Sequence, residues 1–150
     1  MYDSTDNTIN HIQRVQRRLH QFIGDLESRS MTHDDSKLLE PEKSGIDATR
    51  ARLLELDYGT PEYDEVKSVW SNHHHAVNDH HIEYYENGIN GMTLPALVEW
   101  FCDNVAAAET HKVGDSIYKS LEHARVKYGI NDQLIDIFEN TAQSWGITRE

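Results

Sequence analysis

Apolar residues recur every three or four positions through most of this chain, and no segment supports a strand. Asp6 or Asn7 is placed to cap the first such stretch. Its apolar positions are Ile9, Ile12, Val15, Leu19, Phe22, Ile23 and Leu26. This spacing is typical of one face of a helix, so the pattern predicts a long first helix.

Two shorter helices are predicted next. Residues 31–39 favour a short helix that ends near Pro41, because proline disfavours helical geometry in the residue before it. A third helix is predicted from about Ile46 to Asp57, and Gly59 is placed as its C-terminal stop.

A fourth helix is predicted to start at Thr60 and Pro61, with threonine as the cap and proline in the first turn. It continues into a run of histidines, which therefore lies near a helix C-terminus. Residues 78–92 contain two Asn-Gly turn signals and predict a polar loop that can form one wall of a pocket.

The last third of the chain predicts three more helices. Thr93 caps the first, and Asp115 and Asn131 open helices over about 115–128 and 131–144. We therefore expect an all-α fold, a compact single-domain bundle of about six to seven helices spanning residues 1–150.

Composition agrees with one domain and limits its partners. The chain has 150 residues, 37% of them hydrophobic, and a formal net charge of -12. Such a charge repels phosphate backbones and anionic membranes, so we expect neither non-specific nucleic-acid binding nor membrane association. A phosphate substrate would have to be met locally, by metal ions and a few basic side chains.

Cys102 is the single cysteine, which excludes an intrachain disulfide and a thiolate zinc finger. The N-terminal residues are polar and acidic, and no apolar run has the length of a membrane span. We therefore expect a cytoplasmic protein, in the host cytoplasm if a phage encodes it. A homodimer remains open, since the sequence offers no interface.

Five of the ten histidines lie within residues 73–81. Imidazole is a common ligand for transition metals, and His74 shares a helix face with Asn78, while His80 and His81 can reach back from the following loop. The alternative is a solvated helix end, where imidazolium complements the helix dipole. The density of the run favours at least one metal ligand.

A second candidate is the pair His33 and Asp34, which offers a neutral nitrogen beside an anionic oxygen. Lys37 follows Asp34 by three positions, so on a helix its ammonium would lie on the same face and could meet a phosphate oxygen. The alternative is a surface Asp–Lys pair worth less than about 1 kcal/mol.

These residues resemble the HD superfamily of metal-dependent phosphohydrolases, with a histidine on an early helix, a His-Asp pair and a later aspartate. Here they would be His11, His33 with Asp34, and Asp103. The whole chain also resembles an uncharacterised family of small phage and bacterial proteins. The residues that carry that likeness are His33, Asp34, Ser36, Lys37, Asn78, His80, His81, Glu83, Met92, Thr93 and Leu94.

The resemblance implies a divalent metal cofactor, with one or two ions of manganese, iron, cobalt, nickel, zinc or magnesium. Superfamily members with extra histidines bind two metals, which here implicates His74 (or His75), His80 and His81. The chain departs from the expected pattern at Ile82, where proline is expected, and at Asn104, where tryptophan is expected.

The implied activity is hydrolysis of a nucleotide or another small phosphate ester, with Asp34 on the metal and Lys37 stabilising charge. The candidate substrate contacts are Arg29, Lys37, Asn78, Lys112 and Arg125. Two alternatives remain open. One is a di-iron oxygenase of the HD type, and the other is a phage interaction protein that binds metal or nucleotide without turnover.

Overall fold

In the computed structural model, which describes residues 2–57, 59–110 and 116–149, the regular structure is entirely helical. Six α-helices are found in these residues: α1 Thr5–Thr32, α2 Glu42–Leu53, α3 Pro61–Val77, α4 Leu94–Thr110, α5 Ile117–Tyr128 and α6 Asp132–Ser144. Short 3₁₀ helices cover Asp35–Leu38, Ile82–Tyr84 and Gly88–Gly91. The all-α prediction is confirmed.

The chain divides into two units, Met1–His33 and Asp34–Glu150. The first unit consists of α1, which buries none of its residues. Apolar side chains of its predicted face remain open, since Ile12 is 48% and Leu19 57% exposed. The prediction of a single domain stays a prediction. No helix in the described residues has the length and apolar composition of a membrane span.

The residue Asp34, shortly after the end of α1, has a left-handed backbone. Its φ is 62° and its ψ 13°, a conformation that aspartate tolerates better than most residues. The short helix predicted over 31–39 is found only in part, as a 3₁₀ helix over Asp35–Leu38, because α1 continues to Thr32 and Asp34 then breaks the helical path. A single 3₁₀ turn carries Ser36 and Lys37.

Helix α2 begins at Glu42 and ends at Leu53, earlier at both ends than predicted. It starts directly after Pro41, whose restricted φ suits a helix start. The helix packs against α3. A Cβ at Gly45 would lie 2.8 Å from the Cβ of Trp70, so this close approach requires glycine. Gly59 lies in the later turn and does not end the helix.

Three of the predicted caps are confirmed. The Thr93 hydroxyl accepts from the backbone N–H of Ala96 at 3.4 Å. The Thr60 side chain accepts from the backbone of Tyr63 at 3.2 Å, and Asn131 accepts from Leu134 at 2.9 Å. Helix α5 is capped by Ser116, while Asp115, its predicted start, lies outside the described residues.

The hydrophobic core of the second unit lies among α4, α5 and α6. Phe101 and Phe138 stack there, with ring centroids 5.0 Å apart. The buried members are Ile82, Trp100, Phe101, Val105, Ile117, Tyr118, Leu121, Ala124, Ile130, Ile135, Phe138 and Ala142. Ile82 comes directly after His81, so its burial anchors the loop that carries the histidines.

Candidate metal centre

Three histidines converge where α3 ends and the next loop begins. His74 lies in the last turns of α3, and His80 and His81 follow the helix. One nitrogen from each lies within 4.8 Å of the other two. Metal–nitrogen bonds of about 2.1 Å place the ligands of one ion within about 4.2 Å of each other, so the cluster is close to a ligand set.

Asp34 joins the cluster from the turn after α1. Its Oδ1 lies 3.1 Å from His74 Nε2 and 3.5 Å from His80 Nε2. Its other oxygen, Oδ2, accepts from the Lys37 ammonium at 2.5 Å. A carboxylate oxygen of Asp103, on α4, lies within 4.8 Å of one of Asp34. The site thus combines nitrogen and oxygen atoms that could bind a metal ion.

Glu42 is a buried glutamate that organises the histidines from behind. It is 1% exposed, and its Oε1 accepts from His73 Nδ1 at 2.9 Å. Its Oε2 accepts from His74 Nδ1 at 2.8 Å and from the Ser36 hydroxyl at 2.9 Å. Burial opposes the charge, but the hydrogen bonds from His73, Ser36 and His74 hold the pKa of Glu42 below its ordinary value.

This contact fixes the tautomer of His74. An ionised carboxylate only accepts hydrogen bonds, so Nδ1 of His74 must carry a proton, and in the neutral imidazole Nε2 keeps its lone pair. Nε2 is buried and makes no hydrogen bond among the described residues. A histidine that binds a metal through one nitrogen usually donates a hydrogen bond from its other nitrogen to a carboxylate or another acceptor. The contact of His74 with Glu42 has this form.

His81 offers a second nitrogen of the same kind. Its Nε2 is buried and has no hydrogen-bond partner among the described residues. Burial lowers the pKa of His81 to about 2, and the neighbouring His80, His75 and His74 contribute to the same shift. The imidazole is therefore neutral near pH 7. Its orphaned nitrogen and that of His74 fit a bound cation, which would satisfy both.

Two further carboxylates contact the outer nitrogens of the cluster. Glu99 Oε1 lies 3.5 Å from His80 Nδ1, and Glu83 Oε1 lies 3.4 Å from His75 Nδ1. Burial alone would raise the pKa of Glu83, but hydrogen bonds from His75 and Tyr128 hold it well below its ordinary value. His75, His81 and Glu83 form a second group with metal-ligand spacing.

A cavity of about 200 Å³ lies beside the cluster. His74, His75 and His81 line it on one side. The other lining residues include Lys37, Tyr63, Lys67, Trp70, Asp103, Asn104, Ala107, His123, Lys127 and Tyr128. A small molecule in this cavity would therefore contact both the histidines and several basic side chains.

The predicted ligands of the first unit are not brought together. His11 and His33 lie at opposite ends of α1, about six turns and on the order of 30 Å apart along the axis. They cannot bind the same ion within one chain. His11 is exposed, and His33 is the C-cap of α1, directly before Asp34 in sequence.

The predicted substrate contacts have mixed outcomes. Lys37 lines the cavity. The Asn78 amide instead donates to Ser36 Oγ at 3.0 Å and to the His74 carbonyl at 2.9 Å. Asn78 therefore belongs to the hydrogen bonds that surround Glu42 and His74. Arg125 is held by Glu122 at 2.6 Å and does not line the cavity.

Two further predicted contacts cannot be related to the cavity. Arg29 belongs to the last turn of α1, in the first unit, and its role stays a prediction. Lys112 lies outside the described residues.

Three important residues were missed by the sequence analysis. Glu42 follows a proline in a segment that the pattern assigns to a loop, so nothing indicates its burial. Lys67 and Lys127 lie far apart in sequence on two helices. A helical-face analysis would have placed Lys67 on the same side as His74, seven residues later.

Fold and site together define an all-helical protein with a histidine and carboxylate cluster of metal-ligand spacing. The chain belongs to the family of unknown function DUF5662, whose model matches residues 1–144. No curated protein and no solved structure matches it. The likeness to the HD superfamily stays a prediction.

Proposed function

We propose that this chain is a metal-dependent phosphohydrolase that acts on a small phosphate ester, nucleotides included. The observation that carries the proposal is the pair of buried, hydrogen-bond-free nitrogens on His74 and His81, within reach of His80 and beside the cavity. Leaving two such nitrogens without a partner is costly unless a ligand occupies the site.

The ion would be held by His74, His80, His81 and Asp34. Their support is already in place, since Glu42 orients His74 through Nδ1. Asp34 is held in a left-handed conformation, a strain that is common at functional sites. Asp103 is near enough to Asp34 to contribute a further oxygen. A second ion, which the sequence assigned to His74 (or His75), His80 and His81, stays a prediction.

A divalent ion there would lower the pKa of a bound water and would polarise a phosphoryl oxygen. The chain supplies the rest. Lys37 is restrained by Asp34 and lines the cavity, where its ammonium can neutralise charge on the phosphate. Three lysines, Lys37, Lys67 and Lys127, line the cavity, and their charge favours an anionic substrate such as a phosphate ester.

The test is phosphate release by untagged protein loaded with manganese, cobalt or magnesium, against a panel of nucleotides and small phosphate esters. We expect turnover of at least one ester and its loss in Asp34→Ala. Asp35→Ala is the matched control, because Asp35 is adjacent but exposed. No release from any ester with any metal would reject the proposal. Substrate-dependent oxygen uptake by iron-loaded protein would favour the oxygenase instead.

A further inference from the structure

Three lysines from three different elements surround the cavity beside the histidines. Lys37 lies in the 3₁₀ turn, Lys67 in α3 and Lys127 in α5, and all three line the cavity. The ammonium groups of Lys37 and Lys67 lie 5.7 and 5.8 Å from the centroid of the Trp70 ring. In a chain of net charge -12, three converging cations are a local exception.

Among the described residues, two of these lysines lie at ion-pair distance from a carboxylate and the third does not. Lys37 Nζ lies 2.5 Å from Asp34, and Lys127 Nζ lies 3.3 Å from Glu83. Lys67 is half-buried and forms no ion pair within the part of the chain that the structure describes. A half-buried ammonium beside a cavity, with carboxylates near it but none at ion-pair distance among the described residues, is an arrangement that an anion would complete.

The electrostatic environment of Lys67 agrees with this. Burial and the nearby Lys37 lower the pKa of Lys67, and Lys127 adds to the effect. The carboxylates of Asp103 and Asp64 oppose the shift, but the pKa remains lowered, so they compensate only in part. An anion among the three lysines would relieve their mutual repulsion.

We propose that Lys67 and Lys127 bind the phosphate oxygens of a small phosphate monoester in this cavity, together with Lys37. This inference rests on the proposed phosphohydrolase function and narrows its substrate. The cavity of about 200 Å³ is smaller than the roughly 300–1,000 Å³ of pockets that enclose drug-sized ligands. It suits a phosphate group with a short organic part, and the remainder of a larger ester would lie outside.

The test uses inorganic phosphate as the probe and chelator-treated, metal-free full-length protein, with binding followed by phosphorus NMR. We expect one saturable site whose affinity falls about tenfold or more in Lys67→Gln and in Lys127→Gln, since each variant removes a charged hydrogen-bond donor. Lys43→Gln is the control, because it removes the same charge from an exposed lysine paired with Asp47. Its affinity should stay within about twofold of the unmodified protein.

The two cavity variants lie on different helices, so a folding defect in one leaves the other as a test, with circular dichroism as the check. No saturable phosphate binding, or an equal loss in Lys43→Gln, would overturn the inference. Ester hydrolysis with an unchanged KM in both cavity variants would reject the lysine site and leave the phosphohydrolase proposal standing. Lysine-dependent phosphate binding with no hydrolysis would support the site and reject the enzyme.

Discussion

The tautomers of the central histidines depend on one buried carboxylate. Glu42 accepts hydrogen bonds from three donors, and its two oxygens meet two histidine Nδ1 atoms. A glutamine there would present one oxygen and one NH₂ group. The NH₂ group could not face a protonated Nδ1, so either His73 or His74 would have to change tautomer or rotate.

We therefore expect Glu42→Gln to weaken metal affinity by about 10- to 100-fold, as is typical when the support of a metal ligand is lost. Competition with a chromophoric chelator measures this, using zinc or cobalt. Glu40→Gln is the control, since Glu40 is exposed and, among the described residues, its carboxylate accepts from the backbone and hydroxyl of Ser44 rather than from a histidine. Equal metal affinity in Glu42→Gln and the unmodified protein would show that Glu42 does not position the ligands.

The burial of Lys67 leads to a second prediction, on how the stability of the fold depends on pH. Its pKa in the folded protein is lowered by burial and by Lys37, below the ordinary 10.5. The folded state then binds this proton less tightly than the unfolded chain. The contribution of Lys67 to the free energy of unfolding therefore rises with pH between the lowered pKa and 10.5.

Lys67→Met keeps the length of the side chain and removes its charge. We expect it to stabilise the protein at pH 7, and the gain to shrink towards pH 10. Urea denaturation at both pH values measures the difference, with Lys43→Met as the control. A variant less stable than the unmodified protein at pH 7 would contradict the account.

The helix starts marked by capping side chains were predicted from the sequence, and so were the ends of α5 and α6, but the end of α1 was not. Thr60 and Asn131 cap the helices that they were expected to cap, because their side chains satisfy backbone N–H groups locally. The end of α1 is set instead by the left-handed Asp34, and aspartate is ordinary within many helices. Sequence pattern alone therefore could not show that the chain turns at this residue.

The contact between α2 and α3 holds Trp70 at the cavity and depends on Gly45. Gly45→Ala would bring a methyl group to 2.8 Å from the Trp70 Cβ. Overpacking costs about 1–3 kcal/mol, while alanine gains about 1 kcal/mol in helix propensity. We expect net destabilisation by roughly 1 kcal/mol in urea denaturation.

Gly24 provides the matched control for this variant. It also lies within a helix, but nothing is within 4 Å of an added Cβ. Gly24→Ala should be neutral or stabilising by up to about 1 kcal/mol. Destabilisation of equal size in both variants would show that the α2–α3 contact is not the cause.

At the scale of the molecule, the sequence predicted the all-helical class and the histidine cluster. The cluster could be predicted because its members are close in sequence. One helix turn with a following loop brings them together. Residues that only tertiary packing brings to the site could not be predicted. Glu42 and Lys67 are of this kind. The order of residues along the chain suggested His11 as a partner of His33. The order of two residues does not show how far apart they lie, and along one continuous helix 22 residues separate them by about 33 Å.

The metal content of untagged, as-purified protein tests the central claim most directly. We expect about one divalent ion per chain by mass spectrometry, retained in His20→Ala, whose histidine is exposed on α1. His81→Ala, at a half-buried position, should lose the ion while keeping its helical circular dichroism spectrum. No bound metal in the unmodified protein, even after reloading, or full metal content in His81→Ala, would contradict the account.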